Sequence, residues 1–204
     1  MDAIGQPDYL RPYLNAARRH GDGFGSLLWE SPRTQRLRFE ALARVCDFAG
    51  KSILDVGCGR ADLLDYLRER GIEPQHYTGL EAVALLADAA GRKRRKACLI
   101  VRADFIAEPA RLLAGADIVV FSGSLNTIES EPFFATLRTA WEGATEALAF
   151  NFLKSKDRAG ATYLYWHRPA VVKRFARSEL GAADVACVDD YLDGDCTMCL
   201  RKKQ

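Results

Sequence analysis

The chain has 204 residues, 49% of them hydrophobic and 27% charged, with a net charge of +2. That length supports one well-buried core without disulfide or metal staples, and the composition is that of an ordinary globular protein. The near balance of charge points to neither a nucleic acid nor a membrane surface as an obligatory partner. The first residues, MDAIGQPDYLRPYL, carry acids and prolines where a secretory leader needs an apolar core, and no apolar run approaches the ~20 residues of a membrane span. A cytoplasmic protein, monomeric or homodimeric, is expected. Its six cysteines are scattered in mostly apolar contexts, as suits reduced thiols.

In chain order, residues 7–21 read as a short helix, and the glycine-rich stretch 20–31 as irregular. Ser31 can cap a second helix with Pro32 at its first position and Gly50 as its stop. Leu37, Ala41, Leu42, Val45 and Phe48 recur there at helical spacing. From residue 51 the pattern becomes strand, helix, strand, helix. Strands are expected at 52–57, 76–81, 98–102, 116–122 and 146–152. Between them Asp62 can cap a helix over 63–70, 83–90 reads as helical, and Ser130 with Pro132 can open another helix. Such alternation implies a parallel sheet covered by helices on both faces. The end differs. A helix over 168–179 precedes two strands, 183–192 and 195–203, joined near Asp193-Gly194. So short a link permits only an antiparallel pair. Cys196 and Cys199 look like a metal or redox pair, but residues three apart on a strand face opposite ways. No metal site is expected.

The stretch SILDVGCGRAD runs from the first strand through Gly57-Cys58-Gly59 into a helix. Small residues there let a ligand approach the backbone. The dinucleotide pattern G-x-G-x-x-G would place its third glycine at 62, which is Asp. Asp62 and Asp55 would repel a pyrophosphate, so a nicotinamide cofactor is disfavoured. They suit a cationic ligand without phosphate, although Asp62 also reads simply as a helix cap. Glu81, at the end of the second strand, can accept both hydroxyls of a ribose. Asp104 can accept from an exocyclic amine, and Phe105 offers an apolar edge to a flat ring. Cys58 reads as a small loop residue and not as a nucleophile. Ribose, adenine and a cationic amino group together describe S-adenosylmethionine (SAM).

With these residues in hand, the sequence resembles the class I SAM-dependent methyltransferases over roughly 50–204. LDVGCGRAD is similar to their first motif, YTGLEA to the second, RADF to the third and ADIVVFSGSLN to the fourth. The resemblance implies a Rossmann-like α/β fold with a seven-stranded sheet in the order 3-2-1-4-5-7-6, closed by a C-terminal antiparallel hairpin. It implies that Gly57, Cys58 and Gly59 line the cofactor, that Asp55 and Ser122-Gly123 serve its methionine end, and that Glu81 with Ala82 meets the ribose. Asp104 and Phe105 would meet the adenine, with Asp62 nearby, and S-adenosylhomocysteine (SAH) would be the product. The family's third small position, often Gly, is Ala61. The segment LLWESPRTQRLRFE also resembles a bacterial branch of the family. In that light residues 1–50 form a helical segment capping the core at 51–204, and Trp29 and Arg38 close over the cofactor with Arg38 facing its carboxylate.

Methyl transfer is an in-line displacement from an activated donor, so the protein mainly supplies geometry, and a base is needed only for a protonated acceptor. The fold does not name the acceptor. The mouth of the fourth strand, 122–130, contains Asn126 but lacks the Asn/Asp-Pro-Pro-aromatic motif of adenine- and glutamine-amino methylation. The long connection 151–169 carries Tyr163, Tyr165, Trp166 and His167. Tyr163 and Trp166 could bind an acceptor, with His167 and Tyr165 as catalytic candidates. Equally, these aromatics could form a short extra strand on the sheet with His167 on the surface. A small-molecule acceptor is the first reading. The run GRKRRK at 91–96 motivates a second, an RNA or protein acceptor, and the lack of a definite base motivates a third, a non-catalytic SAM-binding module.

Overall fold

The computed structural model describes residues 6–157 and 161–203. Three helical stretches lead in: α1 (Arg11–His20), a 3₁₀ turn (Phe24–Leu27) and α2 (Pro32–Val45). The core then alternates β1 (Ser52–Val56), α3 (Asp62–Glu69), β2 (His76–Glu81), α4 (Ala84–Arg92), β3 (Cys98–Arg102), a 3₁₀ turn (Pro109–Leu113), β4 (Ile118–Phe121), α5 (Ser130–Gly143) and β5 (Ala147–Leu153). It closes with α6 (Pro169–Ser178), β6 (Asp184–Val188) and β7 (Asp195–Arg201). The seven strands form one sheet in the order β3-β2-β1-β4-β5-β7-β6. The first five are parallel, while β7 runs antiparallel between β5 and β6. The six residues between β6 and β7 are too few for a parallel crossover.

Period-2 alternation gives the central strands two buried faces, while the edge strands β3 and β6 are only partly covered. Leu54, Val119, Phe121, Leu148, Phe150 and Met198 pack with Phe133 and Leu137 of α5 and Val172 and Phe175 of α6. Ile53, Ile118, Val120, Ala147 and Cys199 face the other way and pack with Phe39 and Leu42 of α2 and Leu63, Leu64 and Leu67 of α3. Cys196 and Cys199 accordingly sit on opposite faces. The near neighbour of Cys196 is instead Cys187 across the hairpin, with 3.6 Å between the sulfurs. No helix among the described residues is long and apolar enough to cross a membrane.

Several local expectations need correction. Ser31 does cap α2, in a reciprocal capping box with Thr34. Gly50, however, does not end it. The helix stops at Val45 and Cys46 turns extended, which carries Phe48 into the core. Asp62 does not cap α3. Ala61 holds that position in a left-handed turn (φ +55°), and Asp62 already lies in the first helical turn. α5 does open at Ser130, as expected, with Glu129 just before it. Among the described residues between β5 and α6, no strand forms beyond one bridge from Trp166 to Leu153. Part of the connection expected at 151–169, residues 158–160, lies outside the described residues.

Candidate functional site

The strand order reverses between β1 and β4, because β2 and β3 lie to one side of β1 and β4 and β5 to the other. In such sheets the crevice beyond the carboxyl ends of the strands is where ligands bind. A cavity lies there, lined by the tips of β1, β2 and β4 and roofed by Tyr9, Leu10 and Tyr13 at the start of the chain. Its wall carries three carboxylates, Asp55, Asp62 and Glu81, and, among the described residues, no arginine, lysine or histidine.

The glycine loop shapes the floor. Gly57 and Gly59 take φ of +72° and +56°, a conformation that costs L side chains dearly. A Cβ on Gly57 would stand 2.4 Å from that of Ser124. The N–H groups of Gly57 and Cys58 both donate to the Leu80 carbonyl, which ties the loop to β2. Glu81 braces the same loop. Its carboxylate accepts from the N–H of Gly59 and of Val83, each at 2.8 Å, and burial raises its pKa while these bonds oppose the rise. Cys58 lines the cavity with a thiol that burial pushes well up, so it stays protonated.

Asp55 is buried at the end of β1. Its Oδ2 accepts from the Tyr77 hydroxyl, and its Oδ1 has no hydrogen-bond partner among the described residues. Burial raises its pKa to about 7; the Tyr77 hydrogen bond pulls it down, while Glu81 and Asp62 push it further up. Ser122 Oγ and Asn126 Oδ1 are likewise buried, unpartnered and on the cavity wall. Gly123 is held by its N–H to Asn151 Oδ1 (2.8 Å), and a Cβ on it would meet the Trp29 ring at 2.4 Å. Asp62 accepts from Arg60, Lys93 and Gln35 at 3.0–3.4 Å. Ala82, Phe105 and Tyr163 complete this part of the lining.

Four residues stand elsewhere than expected. Arg38 does not reach the cavity. Its guanidinium makes a buried two-pronged bridge to Asp195 of β7, both contacts at 2.6 Å, and stacks over Trp29. Asp104 is off the cavity wall. It accepts from the Tyr9 hydroxyl (2.8 Å) and from the N–H of Ile106 and Ala107, and so shapes the turn that presents Phe105. Trp166 lines no part of the cavity and is held at the bridge to Leu153. His167 is neither on the surface nor in the cavity: it stacks on Phe133 with ring centroids 3.9 Å apart. Burial lowers its pKa to about 4, and its Nε2 has no partner among the described residues.

A second cavity abuts the first, and Tyr9, Leu28, Thr127, Ile128 and Tyr163 line both. Tyr165 lies on this second cavity and donates to Glu129 (3.1 Å). That bond and burial raise its pKa, which keeps the phenol neutral. Sequence reasoning missed the roof residues Tyr9 and Tyr13, whose four-residue spacing places them on one side of the chain's first turns. It also missed Asn151, an orphan-prone amide that only strand pairing brings beneath Gly123. The basic run is largely neutralised within the chain. Arg92 pairs with Asp22, Lys93 with Asp62 and Asp65, and Arg95 with Asp65, while Arg94 and Lys96 are exposed.

No family model matches the sequence, and no curated protein does. Solved structures do. The chain is similar to magnesium protoporphyrin IX methyltransferase from Synechocystis PCC 6803 with bound SAM, at 15% identity over 99% of this chain and 100% of that one, with a TM-score of 0.66. It is similar to DhpI in its SAM-HEP complex at 16% identity, over 99% of this chain and 100% of that one, TM-score 0.67. Human N-acetylserotonin methyltransferase in complex with SAM matches at 14% identity over 98% of this chain and 64% of that one, TM-score 0.66. At these identities the likeness is one of fold.

Proposed function

We propose that this chain, which has the fold of SAM-dependent methyltransferases, uses SAM to methylate a small-molecule acceptor. One observation carries the reading: the cavity at the switch point of the sheet is lined by three carboxylates, of which only Asp62 is ion-paired, and, among the described residues, by no basic side chain. Such a wall attracts a cation and repels phosphate, which favours a sulfonium and ammonium ligand over a dinucleotide. The orphaned Oδ1 of Asp55 is an acceptor awaiting a donor such as an ammonium group, since a buried polar atom without a partner is costly. Glu81, fixed by two backbone N–H groups, retains lone pairs for ribose hydroxyls. Phe105 offers a flat apolar face, and the Gly57–Gly59 backbone permits close approach. Residues 1–50 serve as the cap through Tyr9, Leu10, Tyr13 and Trp29.

SAM bound there supplies a methyl group already activated on a sulfonium. The residues of the chain then position the acceptor, exclude water and hold the donor, and proximity and orientation lower the barrier by several kcal/mol. With Tyr165 neutral and His167 buried away, the acceptor deprotonates to solvent or is nucleophilic unassisted. Small-molecule acceptors accord with the structural neighbours whose names carry magnesium protoporphyrin IX and N-acetylserotonin. Calorimetry with SAM and SAH tests the cofactor: micromolar binding is expected, reduced more than tenfold in Glu81→Ala. Absence of binding at millimolar concentration refutes the proposal. Transfer of labelled methyl groups from SAM across an acceptor panel separates an enzyme from a mere binding module.

A further inference from the structure

We infer that the second cavity receives the methyl acceptor and that Arg19 selects an acceptor carrying an anionic head, a carboxylate or a phosphate, on an apolar body. The inference rests on the methyltransferase reading of the first cavity. The two cavities meet at Tyr9, Thr127 and Tyr163, so a molecule in the second would present one end to whatever the first holds. Arg11, Asn15 and Arg19 recur every four residues along α1 and all face the second cavity, as neighbours on one helical stripe must. Every one of them is a hydrogen-bond donor.

Their charges are not equally free. Arg11 is paired with Asp8 three residues earlier. On the opposite wall the Glu129 carboxylate accepts from the Tyr165 hydroxyl and keeps its negative charge, so the anion end lies at α1, away from it. Arg19 has no hydrogen bond or ion pair among the described residues. A cation in the last turn of a helix also complements the helix dipole, but that would serve equally from any side of the helix, as Arg18 does outside both cavities. A guanidinium beside a cavity, with the Asn15 amide one turn away, offers a fork matched to a planar carboxylate or a phosphate. Leu28, Ile106, Ile128 and Pro132 add apolar stretches to the lining, beside Thr127 and Thr162. The acid-lined first cavity and this cationic end thus divide the two ligands by charge.

The test compares benzoate and phenyl phosphate with neutral benzamide, titrated by NMR into the ligand-free and the SAH-saturated protein. The anions are expected to bind at least tenfold more tightly than benzamide, with Tyr163 and Tyr165 signals perturbed. The better of the two anions identifies the head group. Arg19→Gln should erase the anions' advantage and leave SAH binding unchanged, while Arg18→Gln should retain it. Benzamide binding as well as the anions, or an advantage that survives in Arg19→Gln, overturns the inference. Failure of SAH to bind would instead remove the methyltransferase reading, and the acceptor role with it.

Discussion

Asp55 and His167 are two buried titratable groups with opposite consequences. Asp55 keeps its proton up to about pH 7 in the folded chain, against about 4 unfolded. A raised carboxylate pKa means that stability is greatest at low pH and falls as pH rises from about 4 through about 7. A cationic ligand needs the ionised form, so SAM affinity should rise about tenfold between pH 6 and pH 8. Calorimetry at the two values checks this, and Asp55→Asn should flatten the dependence. His167 runs the other way. Its pKa is depressed from 6.5 to about 4, so the unfolded chain takes up the proton first and stability is lost as pH falls from about 6.5 to about 4. His167→Phe keeps a ring against Phe133 and removes the orphaned Nε2. It should unfold at lower pH than the parent in acid titrations and transfer methyl groups at the parental rate. A folded variant slowed tenfold or more would return His167 to the reaction.

At the scale of elements, α2 is tied to the far end of the chain by Arg38 and Asp195, 157 residues apart. Breaking a buried ion pair strands a charge and costs about 3–5 kcal/mol. Arg38→Met should therefore lower unfolding stability by that order while SAM affinity drops less than threefold. A stable variant unable to bind SAM would put the guanidinium back at the cofactor. The helix α2 itself could be read from its capping box and apolar spacing, since both are local. The partner of Arg38 could not, because nothing in the sequence near residue 38 encodes which strand folds against it. Asp62 is similar. Its place after a glycine turn suits a helix cap, yet the left-handed Ala61 takes that position and frees the Asp62 carboxylate for Arg60, Lys93 and the cavity.

At the scale of the whole molecule, a ligand that binds only the folded chain adds stability through mass action, about 2.7 kcal/mol at a hundred times its Kd. For a domain of this size that corresponds to a rise in Tm of roughly 5–10 °C. Thermal unfolding with saturating SAM should give such a shift, and Glu81→Ala should cut it to about half or less at the same concentration, since a tenfold weaker Kd leaves about 1.4 kcal/mol. The N-terminal segment, proposed above as a cap, touches the core around the cavity through Tyr9 on Asp104 and Trp29 against Gly123. Its stability is therefore expected to depend most on occupancy, and hydrogen exchange in residues 9–20 should slow on SAM addition more than in β4 or β5.

The sequence by itself determined the order of strands and helices, the antiparallel last pair and the acidic glycine loop. These depend on periodicity, on link length and on residues within about thirty positions of one another, all of which are local properties of a chain. The tertiary structure alone decided that Arg38 belongs to Asp195 and not to a ligand, that His167 is stacked in an aromatic cluster, and that Tyr9 occupies Asp104. It alone set Arg11, Asn15 and Arg19 along a second cavity. Each of those outcomes is a competition among distant side chains for the same partner or the same space, and packing settles such competitions only when the whole chain is folded.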